Sequence, residues 1–138
     1  MITFFDTNIF IYAVDAGEPA KQAKALARIT RARSEGVVAL STQVLQEFYA
    51  ITTRKLRPAL SATQAAQFVQ QLCEFKVLGA DAQSIQAACT LVAEHQLAWW
   101  DALILEAALR ARATVLVSED GQAGQRFGSL VVENPFTP

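Results

Sequence analysis

Asp6, Glu47, Asp101 and Asp120 are the residues of this sequence whose type and placement could do chemistry. Asp6 directly follows the apolar segment Met1 to Phe5, and Asp120 lies shortly beyond the β-branched run Thr114-Val115-Leu116-Val117. Taken singly, an aspartate after a strand is ordinarily a turn or helix-cap residue. Glu47 and Asp101 are less ordinary. Val44 and Ile51 stand three residues before and four after Glu47, which places a carboxylate on the same helical stripe as core residues. Ile104, Leu105 and Ala108 follow Asp101 at spacings of three, four and seven, and repeat the anomaly. A carboxylate on a core-facing stripe is costly to desolvate. Asp101 also suits the first turn of a helix, where the dipole favours an acid.

Four carboxylates in one pocket repel one another and raise one another's proton affinity, so the set makes most sense around a divalent cation. All the ligands would be oxygen, with no histidine or thiolate among them, which points to Mg²⁺ or Mn²⁺ rather than zinc. Such a site suits hydrolysis of a phosphodiester, where a cation activates water, neutralises nonbridging oxygens and stabilises the leaving oxyanion. His95, the only histidine, falls near a helix end and reads as structural. Ser-His-Asp and Cys-His mechanisms find no residues here.

The elements that must position these acids follow from the apolar patterning. Met1 to Phe5 reads as a strand, Asp6-Thr7-Asn8 as a turn and Ile9 to Val14 as a short helix. Pro19 to Arg33 has helical composition and stops at Gly36; Val37 to Leu40 is a short buried strand, with Ser41-Thr42 capping a helix that carries Glu47 to about Arg54. Ser61-Ala62-Thr63-Gln64 fits a capping box for a helix ending near Glu74, and Phe75 to Leu78 is a further strand. Asp81 caps a helix to about Glu94, another spans Trp99 to Arg112, and strands follow at Thr114 to Val117 and Leu130 to Val132. Glu119 to Gly128, with three glycines, reads as a site loop. Strands alternating with helices indicate an α/β domain with a largely parallel sheet covered on both faces. Asp6 and Asp120 then share the carboxyl edge of the sheet, where open α/β folds bind ligands. Neighbouring strands lie about 4.8 Å apart, within reach of one cation.

With 138 residues and 52% hydrophobic content, one domain spanning residues 1–138 is expected. No stretch approaches the roughly 20 apolar residues of a membrane span, and Met1-Ile2-Thr3-Phe4 lacks a basic segment ahead of an apolar run, so a soluble, cytoplasmic protein is expected. Cys73 and Cys89 form no C-x-x-C pair and are expected to be buried reduced thiols. Twelve Lys plus Arg against 13 Asp plus Glu gives no basic excess. A nuclease holding its substrate partly through metal ions needs fewer basic residues than a protein that wraps the phosphate backbone, so this balance does not exclude RNA.

Phe5-Asp6-Thr7-Asn8-Ile9, Glu47 on the second long helix, Trp100-Asp101-Ala102-Leu103-Ile104 and Val117-Ser118-Glu119-Asp120 together resemble the motifs of PIN-domain ribonucleases, and within that family the VapC-type toxins of bacterial toxin-antitoxin pairs. The resemblance extends to Asn134-Pro135-Phe136, which is similar to the ending of many such toxins. It implies a five-stranded parallel sheet in the order 3-2-1-4-5, metal coordination by Asp6, Asp101 and Asp120, and Glu47 as a ligand, direct or through water, or as a partner in activating water. Thr7, Asn8 and Ser118 match supporting positions. Glu119 is an extra acid that could share the last metal role, with Asp120 the favoured ligand. An RNA substrate, a cognate antitoxin covering a groove near the site and a homodimer are implied as partners. Arg54, Lys55, Arg57 and Arg126 are candidate RNA phosphate contacts, against the ordinary reading of solvated surface charge. Trp99 and Trp100 could stack on a base or line a partner groove, with core packing as the competing reading.

Two rivals can be set beside this. A haloacid-dehalogenase-like phosphatase also begins with a strand ending in Asp, but that family has a second acid where this chain has Asn8, and a late lysine where none follows Lys76. A PIN-like module that binds RNA or protein without cutting would be expected to lose acids, and this chain retains all four.

Overall fold

The computed structural model describes residues 1–138. Strand β1 (Ile2–Phe5) leads through Asp6 into α1 (Thr7–Ala13), followed by α2 (Pro19–Glu35), β2 (Val37–Ser41), α3 (Thr42–Arg54) and α4 (Ala62–Leu72). The second half runs β3 (Lys76–Leu78), α5 (Ala82–His95), α6 (Trp99–Arg110), β4 (Val115–Val117), β5 (Arg126–Phe127) and β6 (Leu130–Glu133). The helix boundaries are set by local chemistry. Ser41 accepts from the Val44 amide, Ser61 and Gln64 close a reciprocal capping box, and Asp81 and Ser84 close another.

The sheet has the order β3-β2-β1-β4-β6-β5. All neighbours are parallel except β5 and β6, which pair antiparallel. The expected 3-2-1-4-5 arrangement is therefore present, with Leu130–Glu133 as its fifth strand, and a sixth, antiparallel strand is added at the margin. The expected site loop from Glu119 to Gly128 accordingly contains a strand at Arg126–Phe127. The addition arises from a two-residue turn at Gly128 and Ser129, in which Gly128 takes φ 62, a region glycine occupies without steric cost.

Phe4, Phe5, Val38, Ala39, Leu40 and Val117 are buried, so successive residues of the central strands are covered on both faces. Phe48 and Val44 from α3 and Ile104, Leu105 and Ala108 from α6 complete the same core. The cysteines depart from expectation, because Cys73 and Cys89 are both exposed. On α5 the inward positions are Ser84 and Ala88, four apart, and Cys89 lies about 100° further round the helix toward solvent. No helix is long and apolar enough to cross a membrane.

Candidate active site

β1 and β4 are neighbours in register, with Phe5 opposite Val117, so the residues that follow them emerge side by side. Asp6 sits at the hinge between β1 and α1, and its amide still donates to the Val117 carbonyl at 3.0 Å. One carboxylate oxygen of Asp6 accepts the Thr7 amide at 2.7 Å, and the other accepts the Ser118 hydroxyl at 2.9 Å. The Ser118 oxygen in turn accepts the Asp120 amide at 3.1 Å. Asp6 and the loop carrying Asp120 are thereby fixed to each other through one serine.

The first turn of α1 reaches the other two walls. Thr7 Oγ1 donates to Glu47 Oε1 at 2.8 Å, and Asn8 Nδ2 donates to Asp120 Oδ2 at 3.0 Å. Gln43, one turn before Glu47 on α3, donates to the same Glu47 oxygen at 3.3 Å. Asp101 stands in the first turn of α6, a helix that has no side-chain cap, where an acid is favoured by the helix dipole. Asp6, Glu47, Asp101 and Asp120 line one cleft of about 70 Å³. A wider cavity of about 320 Å³ adjoins it, sharing Asp6, Asp101 and Asp120 and bordered by Leu105, Gln125 and Phe127.

Burial within the set differs from the sequence expectation. Glu47 is half-buried and Asp101 is exposed at the helix end, whereas Asp6 is the buried acid at 9% exposure. The stripes on α3 and α6 point at the core, but both acids lie where those stripes run out into the cleft. Burial accordingly pushes the Asp6 carboxyl up to about 6, against the pull of the Ser118 and Thr7 hydrogen bonds and with added repulsion from Asp120 and Glu47. Desolvation by the cleft wall, and then the charge of Asp120, raise the Asp101 carboxyl as well.

None of the four acids forms an ion pair. Every ion pair in the molecule lies elsewhere, including Arg28 with Glu133 and Arg110 with Glu106. Converging carboxylates without a cationic side chain, all offering hard oxygen, fit a divalent cation of the Mg²⁺ or Mn²⁺ kind. No three of the acids form a ready-made cage, so binding would draw them closer.

The remaining candidates are distributed as follows. Glu119 turns away from the cleft, where Tyr12 donates to one of its oxygens and Lys21 pairs with the other. Arg54, Lys55, Arg57 and Arg126 are exposed, and none lines the acidic cleft. Trp99 is half-buried, while Trp100 is 64% exposed at the cleft margin. His95 packs edge-to-face on Phe127 beside the wider cavity. Sequence reasoning missed Gln43, Tyr12 and Lys21. Gln43 had a local signal in its four-residue spacing from Glu47, whereas Lys21 reaches Glu119 across 98 residues with none.

No curated protein matches the chain by sequence. Similar solved structures include VapBC2 from Rickettsia felis bound to a promoter DNA fragment, with TM-score 0.70 and 19% identity over 97% of this chain and 98% of that one. A toxin-antitoxin complex from Klebsiella pneumoniae gives TM-score 0.68 and 19% identity, again over 97% and 98%. VapC20 from Mycobacterium tuberculosis, described as a Sarcin-Ricin loop cleaving toxin, gives TM-score 0.63 and 18% identity over 86% and 91%. The family model of the PIN domain matches residues 3–126, a span that holds all four acids of the cleft. The chain belongs to the PIN-domain family.

Proposed function

We propose that this PIN domain is a Mg²⁺- or Mn²⁺-dependent endoribonuclease and the toxin of a toxin-antitoxin pair. The observation that carries the reading is the convergence of Asp6, Glu47, Asp101 and Asp120, none of them ion-paired, on one cleft at the carboxyl edge of the sheet. Asp6, Asp101 and Asp120 would hold the cation, with Glu47 as a further ligand or through water. When bound, the cation supplies charge neutralisation at the phosphate and an acidified water. The protein's own part is orientation. Thr7 and Ser118 fix both oxygens of Asp6, and Asn8 fixes one oxygen of Asp120. Thr7 and Gln43 occupy Oε1 of Glu47, which leaves Oε2 to accept a proton from water.

Relatives of the same fold include complexes described as toxin-antitoxin pairs, which favours a cognate antitoxin as partner, and a homodimer is proposed with it. RNA is the proposed substrate, with Arg54, Lys55, Arg57 and Arg126 as phosphate contacts. Purified protein freed of antitoxin is expected to cut single-stranded or loop RNA with Mg²⁺ or Mn²⁺ and to stop in EDTA. Equal cleavage in excess EDTA would overturn the metal mechanism. Binding of RNA without cleavage in either metal would leave a noncutting PIN module instead.

A further inference from the structure

Glu119 precedes Asp120 in the chain, yet its carboxylate is held outside the cleft by groups from two separate segments, and a third segment bonds its backbone carbonyl. Lys21 Nζ, from α2, lies 2.9 Å from Glu119 Oε2 and 3.1 Å from the Tyr12 hydroxyl. Tyr12, at the end of α1, donates to Glu119 Oε1 at 3.0 Å. The Lys21 ammonium also sits 4.6 Å from the centre of the Tyr12 ring and 5.4 Å from that of Phe136, and the two rings meet edge to face at 5.0 Å. Asn134 adds a long donation to the Glu119 carbonyl at 3.4 Å, and accepts the Phe136 amide at 2.9 Å. The tail, α1 and α2 thus converge on the residue between Ser118 and Asp120.

As a source of stability this cluster is worth little. The Lys21 and Glu119 side chains are 37% and 27% exposed, and an ion pair that open to solvent is largely screened. As a constraint it is worth more, because the other side-chain bonds that hold Asp120 come from Ser118 and Asn8 alone, and the backbone bonds from the loop to β6 fall at Ser118, Gly124 and Gln125 rather than at Glu119 or Asp120. We propose that Lys21 is a positioning residue for the acidic site, holding Glu119 out of the cleft and so fixing Asp120, rather than its neighbour, as the acid that faces Asp6. Lys21 lines neither cavity of the acidic site. Its action passes through Glu119, with Tyr12 and Phe136 setting the direction of the ammonium.

The inference rests on the proposed metal site for its functional consequence, but its structural part can be read without metal. In metal-free Lys21→Met, hydrogen exchange is expected to quicken in the segment 118–122 while β1 and β2 keep their protection and the melting temperature barely moves. In the same variant Mn²⁺ affinity, measured by calorimetry, is expected to fall about tenfold, the scale of losing a group that orients a metal ligand. Lys21→Arg should restore both readouts. Lys21→Met should add nothing in a Glu119→Gln background, because the lysine works through that carboxylate. Unchanged exchange in 118–122, or unchanged Mn²⁺ affinity beside a parent that binds the ion, overturns the proposal. Should Lys21→Met fail to fold, Tyr12→Phe with the same two readouts decides it. A parent that binds no Mn²⁺ instead counts against the proposed function, and the exchange result still tests the positioning.

Discussion

Asp6 is the acid on which the site's electrostatics turn, because it alone is buried and also receives two hydrogen bonds that favour its charged form. With its carboxyl raised to about 6 from an ordinary 3.8, the folded protein binds this proton more tightly than the unfolded chain does. The sign follows. Asp6's contribution to stability is full below about pH 3.8 and is lost as the pH rises through about 6. Metal-free protein should therefore gain stability on going from pH 7 to pH 5, by roughly 1 kcal/mol from this group, because only the first pH unit below about 6 falls within that range. Asp6→Asn should flatten that rise in urea melts run across the same range. A rise of the same size in the variant would mean that other carboxyls set it. The proposed Mn²⁺ would compete with the same proton, so its affinity should weaken below about pH 6.

Asp101 allows a complementary test, since nothing donates to its carboxylate and Asp120 repels it. Asp101→Asn should leave the metal-free protein as stable as the parent or more so, yet remove most of the stabilisation that Mn²⁺ confers by binding only the folded state. Thermal melts of both proteins with and without Mn²⁺ check this. Strong destabilisation of the metal-free variant, with the full metal shift retained, would make Asp101 a structural residue of α6.

At the scale of elements, the join between α2 and β2 holds the most closely confined glycine of the chain, Gly36. A side chain at Gly36 would place Cβ 2.0 Å from the Met1 carbonyl oxygen, which also accepts the Val37 amide. Gly36→Ala should cost about 1–3 kcal/mol, as overpacking does, with the acidic cleft geometrically intact. Denaturant melts measure the loss, and a neutral substitution would show that the start of β1 yields. The other elements differ in how far local pattern revealed them. Apolar runs and cap residues announced β1, β2, β3, β4, β6 and all six helices, because apolar patterning and capping are local in sequence. β5 was hidden, since two residues make a strand only through their pairing with β6. The Gly128-Ser129 pair between Phe127 and Leu130 was its one clue. Among the residues of the cleft, Glu47 and Asp101 could be read because each lies on an apolar helical stripe, and Asp6 and Asp120 because each follows an apolar strand. The hydrogen bonds from Thr7 to Glu47 and from Asn8 to Asp120 could not, because they join positions 40 and 112 residues apart.

At the scale of the whole molecule, a net charge of −1 means that the proposed RNA binding would rest on a few exposed cations and the proposed metal. Replacing Arg54 and Lys55 together by glutamine should raise KM for RNA several-fold and leave kcat nearly unchanged, since both lie about two turns beyond Glu47, at the end and C-cap of α3, and outside the cleft. Steady-state kinetics on one RNA separates the two. An unchanged KM would return both residues to plain surface charge.

The sheet's two margins bear on how copies of the chain can meet. β3 has three residues and an exposed Lys76, and β5 has two residues with an exposed Arg126. So short a margin, marked by a cation, gives a second chain almost no backbone to zip against, which is how natural sheets resist fibril growth. The proposed homodimer would therefore form through the helical faces, and amides at Lys76 and Arg126 should exchange with solvent at rates independent of protein concentration. Protection there that grows on concentrating the protein would reveal strand addition after all.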